Sequence, residues 1–252
     1  MDLLDKVCII TGGAKGIGRK IAEALLEEGA MVCVWDLDIE SLNIFKKSII
    51  EKNNKFKDKV IIQKINVTKI GEIREGIRII LQSFGIIHIL VNNAGLYVID
   101  DIMKEDEESW DRLLNTNLKS VFLCIKEVLP IMMGNKYGKI VNISSISGKK
   151  ESIFASPSYC ASKAGIIGLT RCVAAQVAQF GINVNCVAPG ITDTDIISIL
   201  GDNKITNALR TIPLGRIGKP EDIANAVLFL VKDSSNFITG ETINVNGGSF
   251  ME

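Results

Sequence analysis

The stretch VCIITGGAKGIGRKIAEALLEEG, residues 7–29, passes from an apolar strand pattern through a glycine cluster into a helical one. KVCII (6–10) is apolar nearly throughout, as a strand buried on both faces of a sheet would be. Ile17, Ile21, Leu25 and Glu28 then recur at helical spacing, and Gly29 supplies a stop. TGGAKGIG (11–18) lies between them. Glycines at 12, 16 and 18 permit a tight turn and a close approach of backbone to a pyrophosphate, and the following helix N-terminus attracts the anion. The expected dinucleotide loop is therefore Gly12, Lys15, Gly16, Ile17 and Gly18. Asp36 ends the next apolar run, eighteen residues past Gly18, where a carboxylate accepts hydrogen bonds from ribose hydroxyls.

Outward from this unit the pattern repeats. MVCVWD (31–36), VIIQKIN (60–66), IIHILVNN (86–93), KIVNISS (139–145), INVNCVA (182–188) and TINVN (242–246) read as six further strands. Helical patterns fall between them at 16–28, 39–52, 70–84, 106–133, 157–180 and 220–232. Such alternation predicts an α/β fold: a doubly wound (Rossmann), predominantly parallel seven-stranded sheet with helices on both faces. No linker or repeat divides residues 1–252, so a single domain is expected. The irregular stretch 190–219 reads as a substrate lid.

Lys plus Arg number 29 and Asp plus Glu 29, so nothing draws the surface toward nucleic acid or an anionic membrane. No apolar run reaches the ~20 residues of a transmembrane helix, and the start lacks a signal-peptide pattern. The six cysteines form no CxxC pair and sit mostly in apolar contexts, as reduced core residues of a cytoplasmic protein do. His88, the only histidine, lies in IIHILV and reads as a strand residue, so no metal site is expected.

SPSYCASKAG (156–165) places Tyr159 four residues before Lys163, on one face of a helix. An ammonium beside a phenol favours the phenolate, which makes tyrosine useful as an acid or base. NNAG (92–95), SS (144–145) and APG (188–190) fall at strand C-terminal ends, the ligand edge of an open α/β sheet.

Together these motifs resemble the compact branch of the short-chain dehydrogenase/reductase family, over essentially the whole chain from TGGAKGIG to ITGETINVNGG. The resemblance implies Tyr159 as general acid/base and Lys163 as the residue that lowers its pKa and holds the nicotinamide ribose. It implies Ser145 as the hydroxyl polarising the substrate carbonyl, with Ser144 or Ser147 as alternatives, and Asn117 as support for a water-linked proton relay. Asn93, Ala94 and Gly95 would line the adenosine side, with Asn66 and Val67 near the adenine. Pro189, Gly190, Thr192 and Thr194 would hold the nicotinamide carboxamide. The chain departs from the common family pattern at Asn66, at His88, where Asp is frequent, and at Asn246, where VDGG is usual.

The implied activity is interconversion of a small-molecule secondary alcohol and a ketone with NAD(H). Asp36 would repel the 2′-phosphate of NADP, while Lys15, expected to face solvent, would attract it only weakly. An NADPH-dependent 3-oxoacyl-[acyl-carrier-protein] reductase is the alternative, and a non-catalytic dinucleotide-binding regulator a third reading. The apolar residues Ile191, Ile196, Ile197, Ile199 and Leu200, with Tyr97 and Phe154, suggest either a partly apolar pocket or packing against the lid's own underside. Small residues on the Tyr159 helix (Ala161, Ala164, Gly165, Gly168) suit either its own sheet or, as the resemblance implies, helix contacts within a homotetramer.

Overall fold

The computed structural model describes residues 2–152, 155–195 and 209–252. Seven strands form one sheet: β1 (Val7–Thr11), β2 (Met31–Asp36), β3 (Val60–Lys64), β4 (Ile89–Asn92), β5 (Gly138–Ile143), β6 (Ile182–Pro189) and β7 (Thr242–Val245). Their order is β3-β2-β1-β4-β5-β6-β7, and every neighbouring pair is parallel. The chain winds outward from β1 to β3, then crosses back to lay β4 on the other side of β1. The crevice at such a reversal is where ligands of doubly wound sheets bind.

Alternation along the strands feeds two cores. Ile9, Cys33, Trp35 and Leu90 pack on one face with Ile73, Ile77, Val128 and Ile166. Cys8, Ile10, Val32 and Val34 pack on the other with Ile21, Leu25, Phe45 and Val227. Each fully buried aliphatic or aromatic side chain contributes about 1.5–3 kcal/mol, so both faces need helical cover. That cover comes from α1 (Gly16–Glu27), α2 (Ile39–Lys52) and α7 (Pro220–Val231) on the second face. The first is covered by α3 (Ile70–Phe84), α5 (Ser120–Asn135) and α6 (Pro157–Val177).

The expected helix over 106–133 is not continuous. α4 (Glu107–Leu113) runs into a π-helical stretch, Leu114–Lys119, before α5 begins. The wider turn leaves the apolar spacing nearly intact, so periodicity does not reveal it, yet it sets Asn117 fully inside the protein. His88 lies just before β4 rather than within it. Its backbone N–H donates to the Val7 carbonyl, and its Nδ1 accepts the Val7 N–H at 3.0 Å. Of the stretch expected to form a lid, 196–208 falls outside the described residues, as does Phe154. Within the rest, Asp193 N–H donates to Gly218 O and Gly218 N–H to Ile191 O, so the two ends of the excursion pair with each other.

Candidate functional site

At the sheet reversal, β1 and β4 are tied together by side chains. Thr11 Oγ1 accepts the N–H groups of Asn93 and Ala94, each at 3.0 Å. Asn93 Nδ2 donates to Thr11 O at 3.1 Å and Gly12 O at 2.8 Å. The glycine loop is thus clasped to the end of β4, and this clasp explains its composition. A Cβ on Gly12, whose φ is +62°, would stand 2.8 Å from Ala94 Cα. A Cβ on Gly18 would stand 2.2 Å from Gly12 O. Asn93, expected to line the adenosine side, pins the loop through its carboxamide.

Gly16, at φ +53°, opens α1 beneath Thr194, whose Cγ2 would lie 3.4 Å from a Cβ at that position. The loop and the 190s segment therefore meet over the C-terminal edge of the sheet. Thr192, itself buried, donates to Gly190 O at 3.0 Å, and Gly190 N–H donates to Val245 O. A loop bare of side chains beside a helix N-terminus fits a dinucleotide pyrophosphate.

The adenosine end is acidic. Asp36 Oδ2 accepts the Ala14 N–H and Oδ1 accepts the Asp38 N–H, both at 3.1 Å, which fixes its carboxylate beside the loop. Lys15 does not stand free: its ammonium lies 2.9 Å from Asp38 Oδ2 in an exposed ion pair. Asp38 caps α2 through the Ser41 N–H and hydroxyl, and these bonds with the Lys15 contact hold its carboxyl well below the usual range. Asn66 Oδ1 accepts from Thr68 N–H and Oγ1, while Val67 is buried among core residues.

The other half of the site gathers at the ends of β4 and β5 and the start of α6. Ser156 caps α6, accepting the Tyr159 N–H at 3.3 Å, and Pro157 sets the first helical residue. Glu105, from the loop before α4, accepts the Ser158 N–H at 3.0 Å and also its hydroxyl. Ser145 follows β5, caps the 3-10 turn Ile146–Gly148 and has its side chain beside the Tyr159 phenol. Ser144 is turned away, its hydroxyl donating to Lys163 O at 2.7 Å. Ser145 is therefore the hydroxyl beside the phenol. The Tyr97 ring meets Tyr159 edge-on, with centroids 5.0 Å apart.

Lys163 is 5 % exposed and donates to Ile143 O at 2.9 Å. Asn117 accepts the Leu96 N–H at 2.7 Å, and its Nδ2 donates to Leu96 O and Ser162 Oγ. Gly95 leaves room between them: a Cβ there would lie 3.2 Å from Asn117 Oδ1 and 3.6 Å from Lys163 Nζ. Burial draws the Lys163 pKa down to about 8. Burial also pushes the Tyr159 pKa up, against the lowering influence of the Ser145 side chain. The largest influence is desolvation, which penalises the phenolate.

Sequence reasoning missed Asp38 and Glu105. Asp38 was legible as an Asp-x-x-Ser cap preceding α2. Glu105 was not, since its partner Ser158 is fifty-three residues away. Among the described residues, no group of His, Cys, Asp and Glu could hold a metal ion, and the six cysteines are free. No helix among them is long and apolar enough to cross a membrane.

Comparison with known proteins agrees with this geometry. A family model described as enoyl-(acyl carrier protein) reductase matches residues 12–249. The 3-oxoacyl-[acyl-carrier-protein] reductase FabG of Thermotoga maritima is 40 % identical over 251 residues, covering 98 % of this chain and 99 % of the relative. FabG of Staphylococcus epidermidis is 40 % identical over 98 % of this chain and all of its own. FabG of Vibrio cholerae is 39 % identical over the full length of both. With its glycine loop, Tyr159–Lys163 pair and sheet order, the chain belongs to the short-chain dehydrogenase/reductase family, as an oxidoreductase acting on CH–OH groups and their ketones.

Proposed function

We propose that the chain reduces the ketone of a 3-oxoacyl thioester to a secondary alcohol, with NADH as its preferred reductant. The observation that carries this reading is the placement of Ser145 and Tyr159 beside buried Lys163, in a chain similar to 3-oxoacyl-[acyl-carrier-protein] reductases along its whole length. A bound nicotinamide cofactor supplies the hydride. Tyr159 and Ser145 direct their hydroxyls at the substrate oxygen as negative charge develops, and Tyr159 gives it a proton. Lys163 holds the nicotinamide ribose and, through Asn117 and water, returns a proton to Tyr159.

Gly12, Gly16, Ile17 and Gly18 take the pyrophosphate, and Asp36 takes the adenosine ribose. Asn66, Val67, Ala94 and Gly95 flank the adenosine, and Pro189, Gly190, Thr192 and Thr194 take the carboxamide. The preference for NAD(H) is supported by two carboxylates, Asp36 and Asp38, the second of which engages Lys15. Residues 190–219 serve as the substrate lid of a single-domain enzyme.

The active form is a homotetramer. An apolar groove lies between Leu114, Leu118, Phe122, Gly165 and Leu169. Ala161, Ala164 and Gly168 are exposed beside it, not packed on their own sheet, and α4 to α6 of a second copy would cover this face. Free cysteines suit a reducing, cytoplasmic setting. A panel of 3-oxoacyl thioesters, sugars, diols and hydroxysteroids, followed by absorbance of the reduced cofactor, tests the substrate assignment. Preference for thioesters is expected; turnover confined to the other classes overturns it.

A further inference from the structure

Residues 246–252 fold back over the turn that follows Ser145. Lys149, at the end of that turn, has a side chain only 5 % exposed. Its ammonium donates to Asn244 Oδ1 at 3.0 Å and to the Glu252 carboxylate, with the Phe250 ring centre 5.5 Å away. Lys150 Nζ donates to Ser249 O at 2.8 Å. Asn246 shapes the segment from within: Nδ2 donates to Phe250 O at 3.0 Å and Oδ1 accepts the Gly248 N–H at 2.9 Å. An aspartate at position 246 would have no such donor.

The opposite side of the segment touches the exit of the 190–219 excursion. Leu214 N–H donates to Gly247 O at 3.1 Å. A Cβ on Gly247 would lie 2.7 Å from Ile212 Cγ2, and one on Gly248 3.1 Å from Pro213 Cγ. The segment is therefore a strap between the Ser145 turn and the exit of that excursion, and its first residue also packs on Gly190, where a Cβ would lie 2.9 Å from Asn246 Cα. A buried ammonium is costly to desolvate and is a poor device for stability alone. It does impose one geometry, since Lys149 N–H also closes the turn on Ile146 O at 2.9 Å and Ser145 Oγ holds the Ser147 N–H of the same turn.

We propose that Lys149 is a positioning residue: by clamping the 246–252 strap onto the Ser145 turn, it sets the Ser145 hydroxyl against Tyr159 and couples that turn to residues 212–214. This rests on the catalytic reading of Ser145. The experiment uses the full chain with Lys149→Met, Lys149→Arg, Asn246→Asp and Ser145→Ala, measuring kcat, substrate KM and NADH affinity by fluorescence titration. Lys149→Met is expected to lower kcat/KM about tenfold, or about 1.4 kcal/mol, with NADH affinity unchanged. Lys149→Arg restores most of the loss. Asn246→Asp, which removes one strap bond and leaves Lys149 in place, shows the same split more weakly and stands in if Lys149→Met does not fold.

Wild-type kcat/KM in Lys149→Met alongside an inactive Ser145→Ala overturns the proposal alone. Parallel loss of NADH affinity in Lys149→Met or Asn246→Asp reduces the strap to a general structural element and also overturns it. A fully active Ser145→Ala overturns the catalytic reading and the proposal together.

Discussion

The Lys163 ammonium lies 5.6 Å from the centre of the Tyr159 ring, yet its hydrogen bond runs back to the Ile143 carbonyl at 2.9 Å. The lysine is thus held beside the phenol by the strand end; Lys163 is buried and Tyr159 partly so. Their protonation preferences move in opposite directions: burial favours a neutral tyrosine and a neutral lysine. Ketone reduction needs the first protonated and the second charged. As pH rises, Lys163 loses its proton first, near pH 8. The rate of ketone reduction should hold below that pH and fall above it, and Lys163→Arg, which stays charged, should remove the break. A kcat/KM profile of the wild type flat through pH 10 contradicts this.

Cofactor choice should reside in Asp36. Its fixed carboxylate meets a ribose diol as a hydrogen-bond acceptor but a 2′-phosphate as a like charge, and such juxtaposition costs several kcal/mol. NAD(H) should be preferred by at least roughly tenfold in kcat/KM. Asp36→Ala should narrow the gap mainly by improving NADP(H) use. Steady-state kinetics with both cofactors measures it; equal use of NADPH by the wild type means that the acidic end does not select.

His88 makes the fold sensitive to acid. Its Nδ1 replaces a backbone carbonyl as acceptor for Val7 N–H, which requires the neutral ring. Burial first, then Lys6, lowers its pKa, and the Tyr137 ring packs edge-on against it. Tyr137 in turn carries Lys6 over its face and bonds Asp233 through its hydroxyl. A histidine with a depressed folded pKa binds fewer protons folded than unfolded, so stability is present above the unfolded value, about 6.5, and is lost as pH falls below it. The thermal midpoint should drop between pH 7 and pH 5. His88→Asn, which keeps an acceptor without a charge change, should flatten that drop. An identical pH slope in both proteins rules the histidine out as its source.

Assembly is testable at Phe122, which is 46 % exposed at the apolar groove. Light scattering at micromolar concentration should give a particle about four times the 27.5 kDa chain. Phe122→Glu should reduce its size by placing a charge in an apolar contact. A wild-type particle of one chain mass refutes the tetramer.

The elements that surround the glycine loop were legible because each carries its own local signal. The 39–52 and 70–84 helices coincide with α2 and α3, and the seven apolar runs locate the strands to within a few residues. The π-helical turn at Asn117 was not legible, since one extra residue per turn barely disturbs an apolar stripe. The contacts of Asn93, Lys15 and Tyr159 were likewise hidden. Each depends on a partner brought from another element: Gly12 for Asn93, Asp38 for Lys15, and the Tyr97 ring for Tyr159. A motif identifies which residues reach the sheet edge; packing decides what each one does there.

The central claim is that Tyr159 is the acid for reduction of a 3-oxoacyl thioester. Initial rates of NADH oxidation with such a thioester, for the wild type and Tyr159→Phe, test it most directly. Phenylalanine keeps the ring against Tyr97 and removes only the hydroxyl. The expected result is a fall in kcat of about a hundredfold or more, the usual worth of general acid catalysis, with NADH still bound. A Tyr159→Phe enzyme retaining more than about a tenth of the wild-type kcat contradicts it.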